Sequence, residues 1–418
     1  MEYRKMPNNG AEVSMLGFGL MRLEDKNDMI DVEFAKDLVE YAVEHGINYF
    51  DTAYGYGDGS GSSEKALGEI IDKIGCRDSV YLSTKLYRES VASRDDMEKM
   101  FIEELNNFKT DHIDYYYIHN VISYQNILDL KDMGLFEFLD EKRMKGQINN
   151  VGFSFHGPYK DFEKVIDEYD WDMTLLQYNY LDVNAQAGIR AIELASSRDM
   201  GVFIMEPLKG GILADLMPKQ ARDIITQSGI QRDNVDLALS WIFNTPGITC
   251  VLSGMKELDM VKQNIQIVEN YGNNPLTDAE LEVIEEVKGV FDEIIKIPCT
   301  TCDYCAPCPQ GVEISAIFQL YNDKYIFPDK MCLGVHPSYI IYAAIVLGIF
   351  DSPFDGSLCI ECGICKRKCP QQLDIPKLLK QIDDSFYGKQ IKELSPILTE
   401  IFKSKEMTDI LESLEPIF

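Results

Sequence analysis

The chain has 418 residues, with 69 acidic side chains against 40 basic ones, and a formal net charge of −29. That length exceeds one ordinary domain, and so acidic a chain is unsuited to gripping nucleic-acid phosphates, so nucleic acid is not an expected partner. A hydrophobic fraction of 45% and a charged fraction of 26% exclude disorder, collagen-like sequence and a polytopic membrane protein.

The N-terminal Met-Glu-Tyr-Arg-Lys-Met-Pro lacks the apolar stretch of a secretion signal, so a cytoplasmic, soluble protein is expected. Residues 3–6 and 12–15 flank Asn9-Gly10, a strong hairpin signal, placed to plug a barrel floor. Then a β-rich run, a polar loop and a helical stretch recur eight times. The β-rich runs are residues 15–19, 48–53, 80–85, 113–120, 150–154, 173–178, 201–207 and 248–254. Helical periodicity covers 32–45, 63–74, 94–108, 127–145, 159–168, 185–199, 234–244 and 257–271. Eight such units in this length predict an α/β fold, the (β/α)8 TIM barrel. A doubly wound open sheet would carry a Gly-rich phosphate turn, but Gly17-Phe18-Gly19 runs into Leu20-Met21-Arg22 with no third glycine.

After Tyr271 the stretch Gly-Asn-Asn-Pro breaks the pattern, and Thr277-Asp278-Ala279-Glu280 opens a helix with a capping box. The barrel is placed at residues 1–290, a mostly helical cysteine-rich domain at 291–383, and an amphipathic helical tail packing on one of them at 384–418. The longest apolar run, 339–350, is too short to span a bilayer and reads as a buried helix, so no membrane span is expected.

Eight of the eleven cysteines fall in two runs. The second, Cys359, Cys362, Cys365 and Cys369 followed by Pro370, has the spacing of bacterial 4Fe-4S ferredoxins. The first, Cys299, Cys302, Cys305 and Cys308 followed by Pro309, is one residue shorter before its last cysteine. In two-cluster proteins the fourth thiolate of each run serves the other cluster. Cys299, Cys302, Cys305 and Cys369 would then hold one 4Fe-4S cluster, and Cys359, Cys362, Cys365 and Cys308 the second. Structural zinc would use two Cys-x2-Cys pairs per site and has no use for a third thiol at the same spacing. Cys76, Cys250 and Cys332 read as buried small hydrophobes. His336, between the runs, is a candidate outer group of a cluster.

Active sites of this barrel lie at the carboxyl ends of the strands. Asp51, Tyr56, Lys85 and His119 arrive at three successive strand ends, and His156 follows the fifth. Singly, each has an ordinary reading as a cap, a surface tyrosine, a solvated lysine or a rim histidine. Together they form a proton-donating group: Lys85 is expected to lower the proton affinity of Tyr56, Asp51 to hold Lys85 charged, and His119 to orient the carbonyl oxygen that receives the proton.

The segment Phe50-Asp51-Thr52-Ala53-Tyr54-Gly55-Tyr56-Gly57, followed by Ser63-Glu64-Lys65-Ala66-Leu67-Gly68, resembles the aldo-keto reductase signature. With Lys85 and His119 the resemblance runs from about Gly17 to Asn264. With the ferredoxin-like segment it is similar to a prokaryotic branch of that family. The resemblance implies NAD(H) or NADP(H) lying across the strand ends, a small carbonyl or alcohol as substrate, and Tyr56 as general acid/base. It implies cofactor contacts at Gly19, Leu20, Met21, Asp51, Ser154, Gln177, Met205, Pro207, Leu208, Gly210, Ser253, Gly254, Gln263 and Asn264. Gln177 and Ser154 match the family's carboxamide-binding pair. Four positions depart from the pattern: Phe155 replaces an asparagine, Met205 replaces the tyrosine that stacks on the nicotinamide, and Gly254 and Met260 lack the cations that clamp a 2′-phosphate.

A nicotinamide moves two electrons as a hydride and each cluster moves one. Communication between the halves would need a flavin or a redox partner protein. Other readings are an electron-transfer subunit whose barrel only binds a nucleotide, and a reductase whose clusters are structural or sensory. Lys366-Arg367-Lys368, inside the second cysteine run, suits docking to an acidic partner or is a solvated loop.

Overall fold

In the computed structural model, which describes residues 1–23, 30–56, 59–272, 274–300, 304–328, 335–349, 352–369 and 371–402, the eight β-rich runs are the strands of one closed parallel barrel. A hairpin of β1 (Tyr3–Lys5) and β2 (Glu12–Ser14) precedes it. The barrel strands are β3 (Leu16–Gly19), β4 (Tyr49–Asp51), β5 (Tyr81–Leu86), β6 (Ile113–Val121), β7 (Ile148–Phe155), β8 (Met173–Gln177), β9 (Gly201–Met205) and β10 (Cys250–Ser253). They follow one another around the wall in chain order, and β10 closes on β3. Strands covered on both faces tolerate no alternation of polar and apolar residues, and β6 is buried at every position.

The barrel interior is filled by side chains that include Tyr49, Tyr115, Tyr117, Leu175 and Phe203, with Met6 and Val13 of the hairpin region packed among them. The Tyr49 and Tyr117 hydroxyls are 3.0 Å apart and satisfy each other inside an apolar layer. Gly201 admits the hairpin, since a Cβ there would stand 2.6 Å from Met6 Sδ. The hairpin thus plugs the barrel.

Two helical expectations change. The stretch 127–145 is two helices, Tyr124–Asp132 and Leu135–Met144, parted at Gly134, whose φ of +88° is left-handed and ends the first helix. Helix Lys219–Ser228 was not expected. Its apolar positions are few, though Ala221 and Ile225 are buried. The capping box at Thr277 is present: the Thr277 N–H donates to Glu280 Oε2 over 2.8 Å, and Glu280 N–H returns to Thr277 Oγ1 over 3.3 Å.

The chain divides into two compact units, one of Met1–Met217 with Ile225–Glu286 and one of Pro218–Ile224 with Val287–Phe418. In the second, helices Ile314–Ile326, Pro337–Leu347 and Ile375–Ser385 bury Ile317, Phe318, Ile341, Ile345 and Ile382. Phe386 stacks on Tyr342 with ring centroids 4.6 Å apart. The run expected as a buried helix at 339–350 is the helix Pro337–Leu347, and Ile391 and Leu398 of the following segment pack against its Ala343 and Ala344. Among the described residues no helix is long and apolar enough to cross a membrane.

Candidate active site and cysteine cavities

Parallel pairing sets the site. Asp51 is the last residue of β4, in register with Ser83 of β5, and Lys85 lies two residues further along β5 beside Tyr117 of β6. His119 follows on β6. Lys85 Nζ donates to Asp51 Oδ2 over 2.7 Å and to the Thr52 carbonyl over 2.6 Å. Ser83 Oγ donates to Asp51 Oδ1 over 2.8 Å. Lys85 is 1% exposed and Asp51 3%. The Lys85 ammonium sits 4.9 Å from the centre of the Tyr56 ring, whose centroid is 5.9 Å from that of His119. The four expected residues are therefore one cluster.

Their electrostatics differ from expectation at Tyr56. Burial, then the carboxylates of Asp51 and Glu206, hold its phenol well above the ordinary range, with Arg22 opposing. The expected direction was down; burial of the phenol outweighs it, with the Asp51 carboxylate, paired to Lys85 at 2.7 Å, adding to the rise. Burial also lowers Lys85, against the pull of Asp51. His119 is held well below its usual range by burial and by Lys85, His156 and Arg88, so its imidazole is neutral. His156, 6% exposed, is pushed down to about 3 by burial and by Arg88 and Lys85.

The expected cofactor contacts lie at or beyond the carboxyl ends of the strands, with Gln263 and Asn264 on the helix Leu258–Tyr271 that follows β10. Gln177 is in register with Met205, and Ser253 with Phe18. Ser154 Oγ accepts the Asn120 N–H over 2.8 Å, and Asn264 Nδ2 donates to Ser253 Oγ over 3.0 Å. Gly19 ends β3, Met21 is 42% exposed, and Leu20 is buried with its N–H bonded to the Asp51 carbonyl. Gln263 is turned to Asp233, 2.8 Å away. Beyond β9, Pro207 is buried and Leu208 and Gly210 half-buried, and the Gly210 N–H donates to Glu206 Oε2 over 2.7 Å.

Several polar residues of this region had no signal in spacing. Asp182 is a buried hub: its Oδ2 accepts Gln177 Nε2 at 2.8 Å and Asn179 Nδ2 at 3.0 Å, and its Oδ1 accepts the buried Lys209 ammonium. Gln186 Nε2 donates to Gln177 Oε1 over 2.8 Å. Arg22 also reaches this region. Its stem lies on Gly254, where a Cβ would stand 2.8 Å from Arg22 Cγ, and its guanidinium is 3.4 Å from Glu206. A cation therefore does flank Gly254, supplied from the loop after β3.

The cysteines surround two cavities in the second unit. One is lined by Cys305, Cys308, Cys359, Cys362 and Cys365 with Ile314, Ile364 and Leu379. The other is lined by Cys299, Cys305 and Cys369 with Ile314, Phe318 and Ile375. Cys302 lies outside the described residues, as does Cys332. Cys76 and Cys250 are buried, as expected. His336 caps a helix, its ring accepting the Ser338 N–H, and its other ring nitrogen is 3.0 Å from the Phe327 carbonyl. Among the described residues no group of three or more His, Cys, Asp or Glu is arranged to hold a metal ion.

Residues 15–288 match the model of the aldo/keto reductase family. The chain is 25% identical to L-galactose dehydrogenase of Arabidopsis thaliana, over 69% of this chain and 96% of that protein. It is 27% identical to D-arabinose 1-dehydrogenase of Saccharomyces cerevisiae, over 64% of this chain and 87% of that protein. Among solved structures it resembles the holo form of aldo-keto reductase AKR11C1 from Bacillus halodurans, with a TM-score of 0.58 and 25% identity over 69% of this chain and 96% of that one. An aldo-keto reductase from Klebsiella pneumoniae in complex with NADPH shares the fold, with a TM-score of 0.55 and 21% identity over 69% of this chain and 96% of that one.

Proposed function

The chain belongs to the aldo/keto reductase family, and we propose that its barrel reduces an aldehyde or ketone, or oxidises the alcohol, with Tyr56 as proton donor. The observation that carries this reading is the buried Asp51–Lys85 pair set against Tyr56 and His119. The residues present suit a nicotinamide dinucleotide: an amide at Gln177, a hydroxyl at Ser154, and Ser253 joined to Asn264 on the far side. NAD(H) or NADP(H) bound there would supply the hydride.

Tyr56 then gives its proton to the substrate oxygen, and its raised proton affinity keeps it in the donating form through the neutral range. Neutral His119 can donate one hydrogen bond to the same oxygen and fix its position. Lys85 offers a positive charge as the phenol loses its proton, and Asp51 holds that lysine in place. NADPH is bound in the Klebsiella relative, whereas Gly254 and Met260 here carry no charge; Arg22, which lies on Gly254, is a cation placed near a 2′-phosphate, with Lys256 and Lys262 two residues beyond Gly254 and Met260.

For the second unit the same reading places two 4Fe-4S clusters, one at Cys299, Cys302, Cys305 and Cys369 and one at Cys308, Cys359, Cys362 and Cys365. Its support is the ferredoxin spacing together with the cavities. Cys308 lines a cavity with the second run and Cys369 lines the other with Cys299 and Cys305, which suits crossed ligation, while Cys305 lines both. A cluster holds its thiolates on different irons, so the sulfurs stand around a cavity rather than a point. Such clusters would supply one-electron steps. Cys362 is exposed and is followed by the exposed Lys366-Arg367-Lys368, which suits electron exchange with an acidic redox protein.

Loss of reduced-nicotinamide absorbance with simple aldehydes and ketones tests the barrel reading. Tyr56→Phe should lose about 10²-fold or more in turnover while still binding the nucleotide. Undiminished turnover in that variant would refute it.

A further inference from the structure

We propose that Asp182 and Gln186 are positioning residues for the nicotinamide carboxamide, acting by fixing which way round the side-chain amide of Gln177 is held; this rests on the reading above that Gln177 faces that carboxamide. A terminal amide is nearly symmetrical in shape, and its two orientations exchange a donor for an acceptor. A glutamine is therefore specific for a carboxamide only if something breaks that symmetry.

At Gln177 both ends are committed. Nε2 donates to Asp182 Oδ2 over 2.8 Å, and Oε1 accepts Gln186 Nε2 over 2.8 Å. A carboxylate only accepts, so the end of Gln177 that meets Asp182 must be nitrogen. Asp182 is itself fixed from three sides. Lys209, 3% exposed, donates to its other oxygen, Asn179 Nδ2 donates to the same oxygen as Gln177, and the Asp182 N–H donates to Asn179 Oδ1 over 3.0 Å. The Lys209 ammonium takes Oδ1 of this carboxylate and leaves Oδ2 to accept the amide of Gln177, and a hydrogen bond to an ion-paired carboxylate is of the stronger, charge-assisted kind.

Gln186 adds a second observation. It is a non-glycine residue at φ +55°, a left-handed conformation of limited stability, and its Oε1 is buried with no hydrogen-bond partner among the described residues. A buried carbonyl oxygen left in that state wants a donor, and an amide NH2 is one. Held one way round, the pair of amides discriminates a carboxamide from a ring substituent that has the C=O but no NH2.

The test is equilibrium binding, by fluorescence or calorimetric titration, of NADH or NADPH and of the matching dinucleotide with an acetyl group in place of the carboxamide. The wild-type protein should favour the carboxamide form by about tenfold or more. In Gln177→Leu, Asp182→Asn and Gln186→Leu that preference should fall to about twofold or less. A preference lost in Gln177→Leu but intact in Asp182→Asn and Gln186→Leu overturns the proposal and leaves the reductase reading standing. A preference unchanged in Gln177→Leu itself overturns the assigned contact on which both rest. If Asp182→Asn fails to fold, Gln186→Leu, which removes no charge, decides the matter alone.

Discussion

The Lys85 ammonium lies 2.7 Å from the Asp51 carboxylate, with both side chains almost wholly out of water, and this pair sits against the ring of Tyr56. Removing one partner of such a pair strands the other charge. Lys85→Met should cost the barrel about 3–5 kcal/mol, read as a lowered melting temperature, and Asp51→Asn/Lys85→Met together should cost less than Lys85→Met alone. Equal or greater loss in the double variant would contradict the pairing.

The same burial sets a pH signature. Tyr56 is held above its ordinary range of about 10, so it stays protonated at neutral pH. Carbonyl reduction should therefore show no loss assignable to Tyr56 as pH rises through neutrality. Alcohol oxidation needs the phenolate as acceptor and should climb about tenfold per pH unit toward alkaline pH, a rise absent in Tyr56→Phe. His119 is already neutral, so no break is expected near its ordinary value.

Glu64 gives a stability signature of opposite sign to most acids. Its carboxyl is pushed up from 4.5 to about 7, chiefly by burial, although Thr84 Oγ1 and, at 2.9 Å, Asn107 Nδ2 donate to it. The folded state then binds more protons than the unfolded state between those values. This contribution is full below about pH 4.5 and is lost by about pH 7, a change of about 3 kcal/mol. Glu64→Gln should flatten that fall in denaturant titrations run across the range. A slope unchanged by the substitution would place its origin elsewhere.

Crossed ligation makes a prediction about pairs of cysteines. Cys308→Ala should alter the same cluster signal as Cys359→Ala, and Cys369→Ala the same signal as Cys299→Ala, in low-temperature electron paramagnetic resonance of anaerobically purified, reduced protein. If Cys308→Ala instead matched Cys299→Ala, ligation would follow the sequence runs rather than the cavities.

The strand order and the four-residue cluster were legible in the sequence because both depend on local pattern. Apolar runs mark strands buried on two faces, and Asp51, Tyr56, Lys85 and His119 each sit at or just beyond a strand end. What the sequence hid was long-range compensation. The Asp51–Lys85 pairing was expected, but nothing local shows how deeply the Tyr56 phenol is buried or that Glu206 comes near it, and so the expected lowering of Tyr56 became a rise. Asp182, Lys209 and Gln186 read as ordinary loop polars until the fold brings them to Gln177, and Arg22 reaches Gly254 only across the barrel's closing seam. The break at Gly134 was written in one glycine, masked by helical periodicity on both sides.

Reduced nicotinamide dinucleotide carrying deuterium at its transferable position, incubated with an aromatic aldehyde and the anaerobic protein, separates hydride transfer in the barrel from electron flow through the cysteine unit. Direct transfer beside Tyr56 should place the deuterium on the carbinol carbon of the alcohol product, read by mass spectrometry. Alcohol formed in ordinary water with no deuterium at that carbon would mean that electrons and protons arrive separately, and the barrel would not be the seat of the reduction.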